Sequence, residues 1–360
     1  MITLEASLRA RVADALKLNH PSFTLTPSEE AEVWCVREGD FRGALSHSRS
    51  KCTPNTAQHP VAWVKRHLTP ASATRERRAT EEWGFRLNAP TLIAALDERT
   101  SLIEHCEGLT LSELGALQLE GAQSLGSQIA SLHKLSINDD DPLSLSEALA
   151  IRARVTLREL KVQVADLPQS HQAAYLHARH LLTELASPRL EDLSEDAYAL
   201  LAQRVPCHRD LTLNHVRFAD PRIQRGAHGQ VYFDQMHLRV FDWGQSRLDV
   251  WTSDWVKLCV EWCDHHKLWD YAWRSYWQSR SEHLSADERL LISGVAETML
   301  NRALASQALN TLRWSQRHHQ SKSGDERQDC ETHTRAAEVW LRGLKELTVM
   351  MTRSNAKSQV

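Results

Sequence analysis

The chain has 360 residues, 42% of them hydrophobic and 25% charged, with a formal net charge of -3. That composition belongs to an ordinary globular protein long enough for two lobes, and disorder is not the default reading. The near-neutral charge leaves no electrostatic footprint for nucleic acid, and no basic run is dense enough to mark a DNA- or membrane-binding stripe.

From the N-terminus, residues 1 to 18 follow a helical pattern broken by Glu5, Arg9, Arg11 and Asp14, which denies them the apolar core of a signal peptide. No later stretch reaches the ~18 apolar residues of a membrane span, so a cytoplasmic protein without a membrane span is expected. Short apolar runs then alternate with turn chemistry: Phe23 to Leu25, Val33 to Val36, and Val61 to Val64 ending at Lys65 read as strands, with a long loop or insertion from Glu38 to His59. A helical pattern spans Ser72 to Leu87 and stops at Pro90, and Thr91 to Ala95 and Ser101 to His105 read as two more strands. After Gly108 the chain becomes helix-rich. Leu111 to Leu135 reads as one amphipathic helix, Asn138 to Pro142 as a turn, and Leu143 to Gln203 as two or three helices punctuated by Pro168 and Pro188. Val205 to Phe218 and Val231 to Phe241 are strand-like; from Asp254 onward the pattern is helical, with a polar break at Arg317 to Asp325.

Seven scattered cysteines make no disulfide framework, and free thiols are expected. Cys259 and Cys263, followed by His265 and His266, have the look of a metal site on a helix, but the second Cys pair of a structural zinc site is missing, and a buried helix face is the better reading.

Phosphoryl transfer needs a cation on the nucleotide phosphates, carboxylates for magnesium, and a carboxylate that orients the attacking hydroxyl. The chain offers each in order. Lys65 ends an apolar strand, and the helix after it supplies Glu81, with Glu76 and Glu82 nearby, to fix the ammonium. Cys207-His208-Arg209-Asp210-Leu211-Thr212-Leu213-Asn214-His215 has the pattern of a kinase catalytic loop, with Asp210 as candidate base. Leu238-Arg239-Val240-Phe241 then delivers Asp242-Trp243-Gly244, a variant of Asp-Phe-Gly whose aspartate is the natural magnesium ligand.

These motifs, together with Thr80 to Arg86, Leu102-Ile103-Glu104-His105-Cys106-Glu107-Gly108, Gly126 to His133 and Asp254-Trp255-Val256-Lys257-Leu258, resemble the aminoglycoside phosphotransferase family over residues 22 to 345. The resemblance implies an α+β, protein-kinase-like two-lobed fold: an N-terminal helix over 1–20, a small β-rich nucleotide-binding lobe over 21–107, and a larger helical lobe over 108–360 carrying the catalytic loop and acceptor region. It implies ATP and Mg²⁺ as cofactors and a small hydroxylated molecule as acceptor: an aminoglycoside-like compound, a sugar or an amino alcohol. Asp210 would accept the hydroxyl proton, with Arg209 beside it; Lys65 and Glu81 would set the phosphates; Glu104 and Cys106 belong to the segment whose backbone holds adenine; Asp242, with His215 or Asn214, would hold the metal. Asp254 matches a structural aspartate.

The sequence departs from the family in two places. The second magnesium ligand is normally Asn five residues after the base, where this chain has His215 and carries Asn214 one place earlier; Mg²⁺ prefers oxygen. The loop between the first two strands, Pro27 to Glu32, holds three glutamates where glycine amides would approach phosphate. A catalytically weak, pseudokinase-like binding module is therefore an alternative. Lipopolysaccharide-core sugar kinases share the histidine, but the long segment between His133 and Cys207 argues against close kinship. For the acceptor, Glu261, Asp264 and Asp270 would suit a cationic amine, and Trp251, Trp255, Trp262, Trp269, Trp273 and Trp277 an aromatic wall; at helical spacing both sets read better as a solvated face and as packing.

Overall fold

The computed structural model describes residues 5–18, 21–26, 31–38, 60–106, 108–135, 169–183, 193–219, 223–225, 231–233, 237–262 and 265–319. The expected loop over 39–59, the turn at 138–142, the Pro168 and Pro188 breaks, most of the acidic loop at 27–30, Cys263 and Asp264 lie outside these residues.

The chain divides into two compact units, Met1–Leu109 with His215–Arg247, and Thr110–Asn214 with Leu248–Val360. The boundary at 107/108 expected from sequence falls two residues early, and the segment 215–247, expected with the helical lobe, is part of the first unit. The cause is local bonding: Leu109 and Phe218 form a β-bridge, and the Asn88 side chain donates to the Leu238 carbonyl at 3.0 Å.

The first unit is built on a five-stranded antiparallel sheet. Its strands are β1 (Pro21–Thr26), β2 (Ala31–Glu38), β3 (Pro60–His67), β4 (Leu92–Ala95) and β5 (Thr100–Glu104), in spatial order β1-β2-β3-β5-β4. Side chains alternate across a strand, so on β3 Ala62 and Val64 face a core shared with Trp34, Val36, Leu96 and Leu102, and with Leu8 and Val12 of helix α1 (Ala6–Leu16). Trp63, Lys65 and His67 point to the opposite face. Helix α2 runs Pro70–Glu82, two residues earlier than the pattern predicts, because Thr69 caps it, its side chain accepting from the Ser72 N–H, and Pro70 suits the first turn.

In the second unit the single helix expected over 111–135 is split. A capping box between Thr110 and Glu113 starts a 3-10 turn over Leu111–Leu117, and Gly115, at φ 57° and ψ -118°, ends its regular path before α3 (Gln118–His133) begins. Helices α4 (Gln169–Thr183) and α5 (Glu195–Ala202) follow, then β6 (Arg204–Cys207). After β7 (Val216–Ala219), β8 (Ile223–Arg225), β9 (Val231–Phe233) and β10 (His237–Val240) of the first unit comes β11 (Arg247–Val250), which pairs with β6. Three helices end the described chain: α6 (Thr252–Glu261), α7 (His266–Arg280) and α8 (Ala286–His319). Helices α3 and α7 approach closely, with Gly126 against Ala272 and the Ser127 and Ser275 hydroxyls 2.5 Å apart. Among the described residues no helix is long and apolar enough to cross a membrane.

Candidate active site

Each unit carries its own cluster of charged groups. In the first unit the centre is Lys65, 8% exposed. Its Nζ lies 3.0 Å from Glu76 Oε2 and 2.6 Å from Asp242 Oδ1. The carboxylate that meets Lys65 is thus Glu76 and not Glu81. The reason is helical phase: Ala73, Glu76 and Ala79 form the buried stripe of α2, whereas Glu81 falls off it and is exposed, and Glu82 pairs with Arg78. Burial alone would push Glu76 up, but the Lys65 ammonium and His67 hold it below the ordinary carboxylate range; burial likewise opposes the Lys65 charge, and Glu76 and Asp242 overcome it and raise its pKa.

One member of this cluster was not expected from sequence. The other carboxylate partner is His67, whose Nε2 sits 2.6 Å from Glu76 Oε2. It could have been found by the period of two from Lys65 along β3. Trp63, two residues to the other side on the same face, stacks on His105 with ring centroids 5.4 Å apart. Asp242 reaches its place at the end of β10 through a left-handed backbone, φ 69°, costly for a residue with a Cβ and found most often where function requires it. The following Trp243 is buried, its indole N–H donating to the Val240 carbonyl at 2.9 Å. His215 Nε2 lies 3.8 Å from Asp242 Oδ2, whereas Asn214 is exposed and belongs to the second unit.

The segment expected to hold adenine is tied down by charge. Glu104 accepts from Arg239 at 2.7 Å and from the Thr91 N–H at 3.0 Å. Partial burial opposes its charge, and these donors hold it below the usual range. Cys106 is half-buried, and burial pushes its thiol up to about 11, so it is a neutral thiol at pH 7.

In the second unit the catalytic-loop segment is organised around Asp254, which is fully buried. Its carboxylate accepts from the Arg209 N–H at 2.6 Å and the His208 N–H at 3.1 Å, and lies 3.1 Å from His133 Nε2. Burial depresses His133 against the pull of Asp254. Arg209 has φ 65° and directs its guanidinium onto Asp249 at 2.8 Å, a loop-holding contact. Asp210, 8% exposed, makes an ion pair with Lys257 of α6, a partner the sequence reading did not single out. Further along the loop, the Leu213 N–H donates to Glu261 at 2.5 Å. Glu261 is therefore engaged in holding the loop, and Asp270 pairs with Arg274.

The tryptophans of 251–277 are core. Trp251, Trp255 and Trp262 are fully buried and Trp269, Trp273 and Trp277 nearly so, in edge-on and stacked contacts such as Trp255–Trp273 at 5.1 Å. Cys259 is buried, its thiol pushed well up by desolvation. Among the described residues the trio with metal-ligating spacing is His133, Cys207 and Asp254, all buried. Its members already serve one another and the loop backbone.

No protein-family model matches the chain, and no curated protein matches it. Solved structures do. A choline kinase from Cryptosporidium parvum superposes with a TM-score of 0.54 at 13% identity, covering 96% of each chain. A spectinomycin phosphotransferase bound to ADP and spectinomycin gives 0.52 at 11% identity, over 95% of this chain and 98% of that one. A macrolide 2'-phosphotransferase from Brachybacterium faecium gives 0.51 at 12%, over 94% and 98%. This chain has the α+β, protein-kinase-like fold that these small-molecule phosphotransferases share.

Proposed function

We propose that this chain is a phosphotransferase that moves the γ-phosphate of ATP to a hydroxyl of a small molecule, an amino sugar, neutral sugar or amino alcohol. The observation that carries the reading is the contact of Lys65 with both Glu76 and Asp242, at 3.0 and 2.6 Å. It joins a strand-end lysine, a helix glutamate and the aspartate of an Asp-Trp-Gly motif, the parts that phosphoryl transfer uses to hold nucleotide phosphates and metal. Fold likeness to choline, spectinomycin and macrolide phosphotransferases is in keeping with it, although a shared fold does not by itself fix an activity.

Asp242 suits Mg²⁺, because that ion is commonly held by one or two carboxylates and completes its shell with phosphate oxygens and water. Held by Asp242, such an ion would supply positive charge against the phosphates. Lys65 then supplies a fixed cation for the phosphates, and Glu76 keeps the ammonium in place. Asp210 takes the proton of the attacking hydroxyl. The bond from that oxygen to the γ-phosphorus forms as the bond to the β-phosphate oxygen breaks, and ADP leaves. Arg209, Asp249 and Asp254 fix the loop that presents Asp210.

Calorimetry with ATP, with and without Mg²⁺, tests the reading. Binding that needs Mg²⁺ and falls at least tenfold in Asp242→Ala is expected. A second reading rests on His215, an imidazole facing Asp242 where an oxygen ligand is usual: a kinase-like module with little or no catalysis. Absence of nucleotide binding by the parent protein would favour that one.

A further inference from the structure

On α7, Ala272, Tyr276 and Arg280 follow one another at four-residue intervals and share one buried face. Ala272 meets Gly126 of α3, and Tyr276 meets His133, the last residue of that helix. Arg280 is 1% exposed. Its guanidinium donates to the Tyr276 hydroxyl and, at 2.8 Å, to the Leu200 carbonyl, and lies over the rings of Tyr276 and Trp277. Among the described residues no carboxylate touches it, and its Nε has no partner. Asp254 is the converse case, a fully buried anion whose partners are His133 and two backbone N–H groups. Each buried charge is costly by itself, and the two are joined by hydrogen bonds that run in one direction. Arginine has donors only, so the phenol oxygen accepts from it, and the phenol proton is left for His133 Nδ1 at 2.9 Å. With Nδ1 accepting, the neutral ring carries its proton on Nε2, which donates to Asp254 Oδ2 at 3.1 Å. Trp255 and Trp277, each 5.0 Å from the Tyr276 ring, surround the relay with apolar surface, where the polarity of every hydrogen bond counts more.

We propose that Arg280, acting through Tyr276, is a positioning residue for the loop that presents Asp210: it keeps His133 a neutral donor to Asp254. The inference rests on the phosphotransferase reading and adds a positioning residue to it. Asp254 Oδ2 is shared between His133 and the His208 N–H, while Oδ1 takes the Arg209 N–H, the backbone group next to Asp210. A neutral imidazole leaves that sharing intact. An imidazolium would not, because charge-assisted hydrogen bonds are roughly twice as strong as neutral ones, and a cation at Nε2 would draw Oδ2 away from the loop. Arg280 opposes that proton in two ways, by its charge and by turning the phenol so that Nδ1 is met by a donor. Burial depresses His133, and the Arg280 charge adds to it against the pull of Asp254. Burial also keeps the Tyr276 phenol protonated. The other ionisable group facing His133 among the described residues, Cys207, stays a neutral thiol because burial pushes it well up, and it donates to the Val250 carbonyl at 3.4 Å.

Nitrogen NMR of the histidine rings in the full-length protein reports which ring nitrogen is protonated, and the His133 signals are those lost in His133→Gln. The parent should show His133 neutral with its proton on Nε2 at neutral pH. In Arg280→Met the ring should take up its second proton at a pH higher by about one unit or more. Over that range kcat of the variant should fall about tenfold as pH is lowered, a small displacement of the base being enough, while KM for ATP stays within about twofold. The parent should show no such step, and Arg280→Lys, which keeps a cation, should lie closer to the parent than Arg280→Met does. The assay uses Mg·ATP and whichever of an amino sugar, a neutral sugar and an amino alcohol the parent labels. Arg280→Gln, which also drops the charge, takes the place of Arg280→Met if that variant does not fold. A variant that is merely less stable, with the titration of His133 and the pH profile of kcat both as in the parent, would overturn the proposal. A shifted titration with an unchanged kcat profile would overturn it too, because the loop would then not depend on the state of His133. If the parent transfers phosphate and the variant matches it at every pH, this inference alone falls; if the parent transfers none, the phosphotransferase reading falls with it.

Discussion

Glu76 decides how Lys65 is held, and it does so by its position on a helix. The stripe Ala73, Glu76, Ala79 faces inward, so a single carboxylate is carried into a place with 4% exposure where a lysine and a histidine meet it. Removing one partner of such a buried pair leaves the other charge uncompensated. Glu76→Ala should therefore lower stability by on the order of 3 kcal/mol, whereas Glu81→Ala, at an exposed site, should stay within about 0.5 kcal/mol; urea unfolding of the two variants checks this. The pH dependence has a definite sign. The folded-state pKa of Glu76 lies below its ordinary value of 4.5, so its contribution is complete above that value and is lost as pH falls through the folded one. Glu76→Ala should accordingly lose less stability than the parent between neutral pH and acid. At this scale motif order singles out Lys65 and Asp242, which the structure brings within 2.6 Å of each other. The sequence was not legible for the choice among Glu76, Glu81 and Glu82, which turns on where α2 starts, and Thr69 and Pro70 set that start two residues before the expected one.

Elements show a similar division. The strands of the first sheet follow from alternation and turn residues, and the structure places them within a few residues of expectation. The helix expected over 111–135 does not survive as one piece, because Gly115 adopts a positive φ that its neighbours' periodicity gives no sign of. The α3–α7 pair is a packing decision of the same kind. A Cβ on Gly126 would fall 2.0 Å from the Ala272 carbonyl oxygen, so the helices approach as they do only because that side chain is absent. Gly126→Ala should destabilise the protein by about 1–3 kcal/mol, the usual cost of overpacking, despite the higher helix propensity of alanine. Chemical denaturation would show it, and a stabilised variant would mean that the two helices are less closely packed than the backbone indicates. The acidic residues and tryptophans of 251–277 likewise resolve into element-level roles: Glu261 bonds the loop at Leu213, Asp270 pairs along its own helix, and the indoles pack against one another. Helical spacing favoured packing for the indoles and a solvated face for the acidic residues, of which Glu261 instead holds the loop.

For the whole molecule, fold class was readable from the order of the motifs, since a lysine strand, a catalytic loop and an Asp-Trp-Gly strand in that sequence belong to a kinase-like chain, and the solved structures share its fold. The division into units was harder to read. Residues 215–247 follow the catalytic loop in sequence yet belong with the first unit through pairing of Phe218 with Leu109 and the bond from Asn88 to Leu238, contacts between residues far apart in the chain that no local pattern encodes. One unit therefore carries the lysine, its glutamate and Asp242, and the other carries Asp210. The proposed transfer reaction draws on both sets of residues. Its most direct test is transfer of labelled γ-phosphate from Mg·ATP to a panel of an amino sugar, a neutral sugar and an amino alcohol, by the parent and by Asp210→Asn. The parent should label at least one acceptor, and Asp210→Asn, with an unchanged circular dichroism spectrum, should be slower by about 100- to 10,000-fold, the range for loss of a positioned base. Transfer by Asp210→Asn at the parent rate, or no transfer by the parent to any of the three, would contradict the proposed reaction.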